Sequence, residues 1–409
     1  MLISTTRYDS ARPLRIAVIG GRGVPSNYSG VETVCAELYS RIAERGHRVS
    51  VYCRPQVRLS SNRVYRGIRQ VRTPAPGGKN FETLSHTLTS LTHALTYGDE
   101  GNRFDLVCLY TLAPHLFAPL CKAAGVPVVG HIQGLDWQRA KWKGLGAKVI
   151  RLGEAAMLRY ADALISPATF LCDHYERNHG RSCTMVPNGV PAVQVEPDAA
   201  RLAALGLEAG KYIACIGRLV PEKRVQDVIH AFRAAGDFGC KLAIVGDGST
   251  TPDYVRQLHA AAAGDARIVF TGLQRCNNLE SIFAGARLFV SASELEGLPV
   301  TMLEAMSHGL PVLASRIPPH EQLLSLPGYD LFFAPADVAG LTAKLDAALG
   351  SPEVLRATGE ALREQVRRHF DWAVIADATI EAYRRTVQAH RNRRERPIES
   401  AGAALPSPA

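Results

Sequence analysis

The 409-residue sequence has no long hydrophobic run and no closely spaced cysteines. No segment approaches the roughly 18 uncharged apolar residues that a membrane-spanning helix requires, and the amino terminus lacks the apolar stretch of a secretion signal. The nine cysteines are scattered without a C-x2-C motif. This spacing favours small buried thiols in a reducing compartment over disulfides or a zinc site. Together these absences predict a cytoplasmic protein.

The composition is that of a globular protein with an excess of positive charge. Hydrophobic residues make up 46% and charged residues 21% of a chain long enough for two domains. The net charge of +9 predicts that the protein binds an anionic partner. Nucleic acid, an anionic membrane face and phosphorylated substrates are the candidates. Much of the excess lies in residues 139–151 and 384–396. Composition alone does not choose among these partners.

The most informative segment of the sequence is residues 287–315, in the second half of the chain. Its sequence is RLFVSASELEGLPVTMLEAMSHGLPVLAS, in which two β-branched, buried-strand patterns flank a helical one. Pro299 suits the first position of that helix and Gly309 suits its end. The pattern therefore predicts a strand, a short helix over residues 299–308 and a second strand.

Two carboxylates bracket the start of this predicted helix. Glu296 lies in the loop after the first strand, and Glu304 lies eight positions later on the helix. Open α/β sheets bind ligands at the carboxyl ends of their strands, and the amides of Val300 and Thr301 at the helix start favour a phosphate there. Carboxylates accept hydrogen bonds from sugar hydroxyls. The alternative is an ordinary strand-helix-strand unit with two solvated glutamates.

Two further loops follow predicted strands. Residues 14–20 form a strand pattern that runs into a glycine-rich loop with Gly21 and Gly23, and Gly30 precedes the next helix. The glycine spacing does not match the G-x-G-x-x-G fingerprint of dinucleotide-binding proteins. The remaining interpretation is a loop that contacts the phosphates of the donor. In the second half, Arg218 and Lys223 follow a strand over residues 212–217. They are either a cationic pair for a diphosphate or two solvated surface cations.

The Glu-x7-Glu arrangement in EGLPVTMLEAMSHGLPVLAS resembles the signature of the retaining glycosyltransferases of family 4, GT-B enzymes that use nucleotide-sugar donors. The run G-R-L-x-x-E-K at Arg218 and Lys223 resembles their pyrophosphate site. The segments GGRGVPSNYSGVET and GLDWQRAKWK resemble a subgroup linked to bacterial rhamnosyl-type polysaccharide transferases. One departure is Pro299, where many members carry glycine, and it removes one amide from the donor site.

The resemblance implies an α/β fold of two facing Rossmann-like domains with a C-terminal helix that crosses back to the first. The boundaries that follow are residues 14–190 for the first domain, 191–210 for the linker and 211–368 for the donor-binding domain. The returning helix would span residues 369–390, and the composition predicts a disordered tail over residues 391–409.

The resemblance also implies the roles of the donor site. Glu304 would hold the ribose and Glu296 the sugar, with further donor contacts from Gly217, Gly297 and Leu298. Arg218 and Lys223 would stabilise the leaving diphosphate. The sequence has no Asp-x-Asp pair, so neither a metal ion nor another cofactor is expected. The predicted activity is transfer of a hexosyl or deoxyhexosyl group to a saccharide or lipid-linked acceptor in cell-surface polysaccharide synthesis.

The chain departs from the family at the acid/base position. Members often have His there, or Asp in this subgroup, whereas this chain has Gln133. His131 lies two residues earlier, on the same side of an extended chain. It either orients the donor sugar as a catalytic residue or is a satisfied buried histidine.

The acceptor side carries two tryptophans among cations in residues 137–151, beginning with Trp137. Such a segment suits an anionic, partly apolar acceptor such as a polyprenyl-diphosphate carrier on an anionic membrane surface, or it is a solvated helix start. The resemblance favours a nucleotide-sugar donor and no nucleic acid. A nucleotide-sugar epimerase of the same fold and a non-catalytic nucleotide-binding protein are the alternatives. The sequence leaves the base, the sugar and the linkage open.

Overall fold

A computed structural model describes residues 12–25, 30–135, 144–191, 195–249 and 251–395, which form two α/β domains around two sheets. The first sheet has eight strands in the order β3-β4-β2-β1-β5-β6-β7-β8. These strands are β1 (Arg15–Ile19), β2 (Arg48–Cys53), β3 (Val64–Tyr65), β4 (Ile68–Arg72), β5 (Leu106–Tyr110), β6 (Val128–His131), β7 (Ala163–Ser166) and β8 (Thr184–Met185). Its helices are α1 (Gly30–Glu44), α2 (Gly78–Tyr97), α3 (Ala118–Ala123), α4 (Leu145–Tyr160) and α5 (Thr169–His179).

The second sheet has six parallel strands in the order β11-β10-β9-β12-β13-β14. These strands are β9 (Tyr212–Ile216), β10 (Lys241–Val245), β11 (Ile268–Gly272), β12 (Leu288–Ser291), β13 (Val312–Ser315) and β14 (Phe332–Phe333). The helices that follow the first domain are α6 (Ala199–Ala204), α7 (Val225–Ala234), α8 (Pro252–Ala262), α9 (Cys276–Gly285), α10 (Val300–Ser307), α11 (Pro318–Leu323), α12 (Val338–Leu349), α13 (Pro352–His369) and α14 (Trp372–Glu395). The predicted fold of two Rossmann-like domains is confirmed.

The strand order places one crevice on each sheet. In the first sheet β1 lies between β2 and β5, and in the second β9 lies between β10 and β12. The chain changes direction across the sheet at these central strands, and the loops after them diverge and leave room for a ligand. The glycine-rich loop follows β1, while the loops that carry Arg218 and Glu296 follow β9 and β12. The predicted site residues therefore gather at two facing sheet edges.

The linker prediction needs a correction. Within residues 191–210 the structure has helix α6, and its Leu202 is fully buried in the core of the second domain with Leu207. Asp198 begins the helix by accepting hydrogen bonds from the amides of Ala200 and Arg201, an ordinary cap. The short length of the pattern hid this helix in the sequence. The second domain therefore begins before residue 211.

The C-terminal helix α14 packs on the first domain, and its Trp372, Ile375 and Ile380 join the core formed around β1 and α1. Where the chain crosses back, the amide of Val190 donates to the carbonyl of Phe370. A Cβ at Gly189 would lie 2.6 Å from the Trp372 ring, so this approach requires glycine. None of the helices in the described ranges combines the length and apolar character needed to cross a bilayer.

The prediction of disorder from residue 391 was wrong for residues 391–395, which continue α14. Their arginines are held by the first domain: Arg391 bonds Asp105, Arg393 bonds Asp162 at 2.5 Å, and Arg394 donates to a backbone carbonyl. The arginines that suggested a disordered tail therefore help to hold the end of α14 on the first domain. Residues 396–409 lie outside the described residues.

A buried polar contact joins α14 to the centre of the first sheet. The Tyr383 hydroxyl lies 2.8 Å from the hydroxyl of Tyr39 and 2.7 Å from Nε2 of His131. His131 in turn stacks on Tyr110, with ring centroids 4.4 Å apart. Because Tyr39, His131 and Tyr383 are almost fully buried, these hydrogen bonds satisfy polar groups that are removed from water.

We expect Tyr383→Phe to lower the free energy of unfolding by about 1–3 kcal/mol, because it leaves the buried imidazole nitrogen of His131 without a partner. Denaturant unfolding followed by fluorescence measures the loss. Tyr97→Phe is the control, since Tyr97 is 65% exposed. Equal stability of the two variants would show that the Tyr383 contact does not hold the helix.

Candidate functional site

The two domains meet where the loop after β12 approaches the loop after β6. A Cβ at Gly297 would lie 2.0 Å from the backbone oxygen of Gln133, so only glycine allows this contact. Nearby, the Asn188 side chain donates to the carbonyl of Leu298 at 3.4 Å. Gly297 and Leu298, two predicted donor contacts, therefore also lie at the seam between the domains.

Lys223 is placed by a short turn after β9. The chain forms a single 3₁₀ turn, Pro221–Lys223, and Arg224 then adopts a left-handed conformation with φ of 48°. The Arg224 guanidinium fixes this turn because it pairs with Asp227 at 2.6 Å and with Glu294 at 3.3 Å. The Lys223 ammonium consequently faces the loop after β12.

There Lys223 donates a hydrogen bond to Oε1 of Glu296. The two side chains are only 18% and 12% exposed. Burial by itself opposes the charge of Glu296, but the neighbouring charge of Lys223, with the hydrogen bonds to the carboxylate, lowers its pKa below the ordinary value. The structure thus joins a predicted diphosphate cation to a predicted sugar-binding carboxylate, a contact that the sequence did not indicate.

A chain of hydrogen bonds supports Glu296 from its other side. The Ser293 hydroxyl donates to Oε1 of Glu296 at 2.8 Å, and the Ser315 hydroxyl donates to the carbonyl of Ser293. His320, fully buried on α11, places Nδ1 2.8 Å from the carbonyl of Ser315. A carbonyl only accepts, so Nδ1 carries the proton. Burial lowers the pKa of His320 to about 4, which keeps the ring neutral near pH 7.

Sequence reasoning missed these supporting residues. Ser315 ends β13 and Ser293 lies two residues beyond β12, both within residues 287–315. Polar residues that close two adjacent parallel strands are a usable signal, because the carboxyl ends of such strands meet at one edge. His320 had no comparable signal in the sequence, since its contact with Ser315 depends on how α11 packs.

Arg218 stands at the same edge and differs from Lys223. It is half-buried after β9, and no hydrogen bond or ion pair engages its guanidinium within the described ranges. Beside it, a Cβ at Gly246 would lie 1.8 Å from the carbonyl of Gly217, so the turn after β10 can come this close only as glycine. Gly217 itself has room, since a Cβ there would lie 3.7 Å from Cε of Lys223, an ordinary contact distance.

Helix α10 begins at Val300 and ends at Ser307, close to the predicted range. Val300 and Thr301, at its amino end, are partly exposed. Glu304 is also partly exposed, and burial among its neighbours raises the pKa of its carboxyl to about 7. No hydrogen bond from another described side chain reaches that carboxyl. An acid that loses its ordinary hydration without gaining a partner is suited to receive a ligand hydroxyl.

The glycines of the first domain serve two purposes. Gly23 has φ of 118°, and a Cβ there would lie 2.6 Å from the sulfur of Cys53, so its identity follows from packing. Among the described residues, a Cβ at Gly21 would meet no atom closer than 4.0 Å, so the backbone there has room for a ligand. Gly30 begins α1. Of the three, Gly21 is the position where the described surroundings offer room.

His131 is 3% exposed and its ring is engaged by Tyr110 and Tyr383. Burial lowers its pKa to about 3, so it is neutral at physiological pH. These contacts match the buried-histidine alternative of the two considered for it. The tryptophan-rich stretch lies outside the described residues over positions 136–143. In the part of the chain that the structure describes, no group of three or more His, Cys, Asp and Glu side chains could hold a metal ion.

Two known protein families match parts of this chain. Residues 210–351 match a family described as glycosyl transferases group 1, and residues 29–189 match the glycosyl transferase 4-like domain. Glycogen synthase from Mycobacterium tuberculosis is 26% identical over 396 residues, covering 90% of this chain and 94% of that protein.

Two solved structures share the fold. Sucrose-phosphate synthase from Thermosynechococcus elongatus superposes with a TM-score of 0.79 at 22% identity, covering 92% of this chain and 100% of that one. The Anabaena protein HepE, in complex with UDP and glucose, gives a TM-score of 0.75 at 17% identity, covering 90% and 99%. The rhamnosyl-type subgroup is not among these relatives.

The raised pKa of Glu304 predicts a pH-dependent stability. Between the ordinary value of 4.5 and about 7, the folded state holds a proton that the unfolded state has lost, so stability falls as pH rises through this window. Glu304→Gln carries no such proton. We expect thermal unfolding to show the variant gaining roughly 1–3 kcal/mol over the native protein between pH 5 and pH 8.

Glu353→Gln, on an exposed position of α13, controls for the loss of one carboxylate. A difference between Glu304→Gln and the native protein that stays constant across this pH range would contradict the burial of Glu304.

Proposed function

Because the chain belongs to the group 1 glycosyltransferases of GT-B fold, we propose that it moves a hexosyl or deoxyhexosyl group from a nucleoside-diphosphate sugar to a saccharide or lipid-linked acceptor. The observation that carries the proposal is the Lys223 to Glu296 pair with the unengaged Arg218 beside it. A cationic pair and a supported carboxylate at one sheet edge suit a donor that has a diphosphate next to a sugar. The comparisons give the epimerase and non-catalytic alternatives no support.

Arg218 and Lys223 would bind the diphosphate, together with the amino end of α10. As the bond to the sugar breaks, negative charge develops on the leaving phosphate, and cations already in place stabilise it without reorganising. Lys223 would turn from Glu296 toward the phosphate. Glu296 stays oriented by Ser293 and can accept a hydroxyl of the sugar.

The other proposed donor contacts are assigned from where each residue lies in the cleft. Glu304 would accept the ribose hydroxyls, and Gly217, Gly297 and Leu298 would line the path between base and sugar with backbone. Gly21 would approach the phosphates from the first domain. Since HepE was solved with UDP, uracil is the first base to test.

The proposal includes retention of the anomeric configuration without a metal ion. In retention the acceptor hydroxyl attacks on the face from which the nucleotide leaves, so leaving-group stabilisation is the main task of the protein. The two cations and the helix amino terminus supply positive charge there, and the sequence has no Asp-x-Asp motif.

A panel of nucleotide sugars, assayed with and without saccharide acceptors in excess EDTA, tests the activity. We expect transfer from one donor class to persist in EDTA and to give a product with the donor's anomeric configuration by NMR. Loss of activity that Mn²⁺ or Mg²⁺ restores, or an inverted product, would contradict the proposed chemistry. No turnover of any donor by folded protein would contradict the function itself.

Variants of the two cations test their role in the same assay. Arg218→Ala breaks no hydrogen bond or ion pair of the described residues, and we expect it and Lys223→Ala to lower kcat/KM by about 10²-fold. Lys211→Ala, an exposed lysine before the opposite end of β9, is the matched control. Unchanged kinetics in folded Arg218→Ala would remove it from the diphosphate site.

The acceptor is proposed to reach the first domain from an anionic membrane at the cytoplasmic face, as a polyprenyl-diphosphate-linked glycan. The described part of residues 137–151 supports this in one respect. Helix α4 exposes Leu145 by 73% and Leu152 by 60%, with exposed Lys148 between them on the same face. Exposed leucines beside a lysine suit the headgroup region of a bilayer.

We expect co-sedimentation with vesicles containing phosphatidylglycerol, reduced by high salt because each cation near such a surface contributes roughly 1 kcal/mol. The pair Leu145→Ser and Leu152→Ser should weaken binding several-fold. Val354→Ser, a 62% exposed position on α13, should not. No binding to vesicles, or equal binding to neutral ones, would favour a soluble acceptor.

A further inference from the structure

Two cysteines of the first domain lie side by side away from the cleft chemistry. Cys172 lies in the first half of α5, and Cys183 directly precedes β8. Gly180, in a left-handed conformation, ends the helix and returns the chain beside it. As a result the two sulfur atoms lie 3.0 Å apart, although both are free thiols. We propose that Cys172 and Cys183 are a redox modification site that forms a reversible disulfide with a peroxide as oxidant.

The pair differs from the other seven cysteines of the chain. Six of those are buried and Cys276 is exposed, and none of them has another cysteine sulfur within hydrogen-bond distance. Cys172 is 7% exposed, whereas Cys183 is partly exposed. Their shared hydrogen bond lowers the pKa of Cys172, which favours the thiolate that reacts with oxidants. One member is therefore activated and the other is placed to resolve the product.

The reaction balances with hydrogen peroxide. The Cys172 thiolate attacks one peroxide oxygen, the O–O bond breaks, and Cys172 sulfenic acid and hydroxide form. The Cys183 sulfur then attacks the sulfenic sulfur, the S–S bond forms, and the hydroxyl leaves with the Cys183 proton as water. The two sulfurs lose two electrons in total and the peroxide gains them. A dithiol reductant reverses the bond by exchange.

The bond would tie together two segments that both contact the second domain. At the start of α5, the amide of Thr169 donates to the side chain of Gln322 on α11 at 2.8 Å. Beyond β8, the Asn188 side chain reaches Leu298. A disulfide between these segments fixes their spacing, so oxidation acts at the edge where the domains meet, next to the predicted donor contact Leu298.

Peptide mapping tests the site directly. Reduced protein is treated with a small excess of hydrogen peroxide, alkylated with iodoacetamide and digested with trypsin without reductant. Trypsin cuts after Arg177 and Arg181, so the disulfide links peptide 160–177 to peptide 182–201. We expect this linked species in most molecules, its loss on treatment with dithiothreitol, and full alkylation of Cys276 in the same sample.

Cys172→Ser and Cys183→Ser should each abolish the linked species and leave the remaining thiol open to alkylation or overoxidation. Alkylation of both native thiols after peroxide treatment, at the rate of Cys276, would overturn the proposal. So would oxidation of Cys172 to sulfinic acid without a disulfide, or a linkage between two chains. These outcomes do not depend on the transferase activity.

Discussion

The ion pair between Lys223 and Glu296 joins the loops after β9 and β12, and the candidate site depends on it. A partly buried charge without a partner is costly, with about 3–5 kcal/mol lost when one member of a buried pair is removed. Arg224 with its two carboxylates fixes the lysine, and Ser293 with Ser315 and His320 fixes the glutamate. Lys223 and Glu296 are thus each positioned by a separate set of contacts. A ligand that competes for Lys223 finds a carboxylate that stays in place.

The two domains are joined by contacts of a different kind. Gly297 meets the backbone of Gln133, and α14 returns to the first sheet through Trp372 and Tyr383. These contacts are steric and apolar, with one buried polar junction at His131. Since its hydrogen bond to Tyr383 is buried, His131 helps to hold α14 on the first sheet. The basic end of α14 adds ion pairs to Asp105 and Asp162.

Much of the fold was predictable because parallel strands buried on both faces are continuous apolar runs, as in β5 and β9. The positions of Arg218, Glu296 and Glu304 at one edge of the second sheet were predictable, because each follows a strand or lies on the next helix there. Their roles stay predictions. The Lys223 to Glu296 contact was not predictable, because it follows from the left-handed turn at Arg224 and not from spacing. Helix α6 and residues 391–395 were missed because a short helix and a basic one are stabilised by tertiary contacts that sequence periodicity does not contain.

A crystal structure with the nucleoside diphosphate of the active donor, grown in EDTA, tests the central claim most directly. We expect phosphate oxygens about 3 Å from Arg218 and Lys223, and ribose hydroxyls on Glu304. Glu296 should remain bonded to Ser293 with Lys223 turned away from it. A diphosphate bound elsewhere in the cleft, with Lys223 still engaged only by Glu296 and Arg218 in solvent, would contradict it.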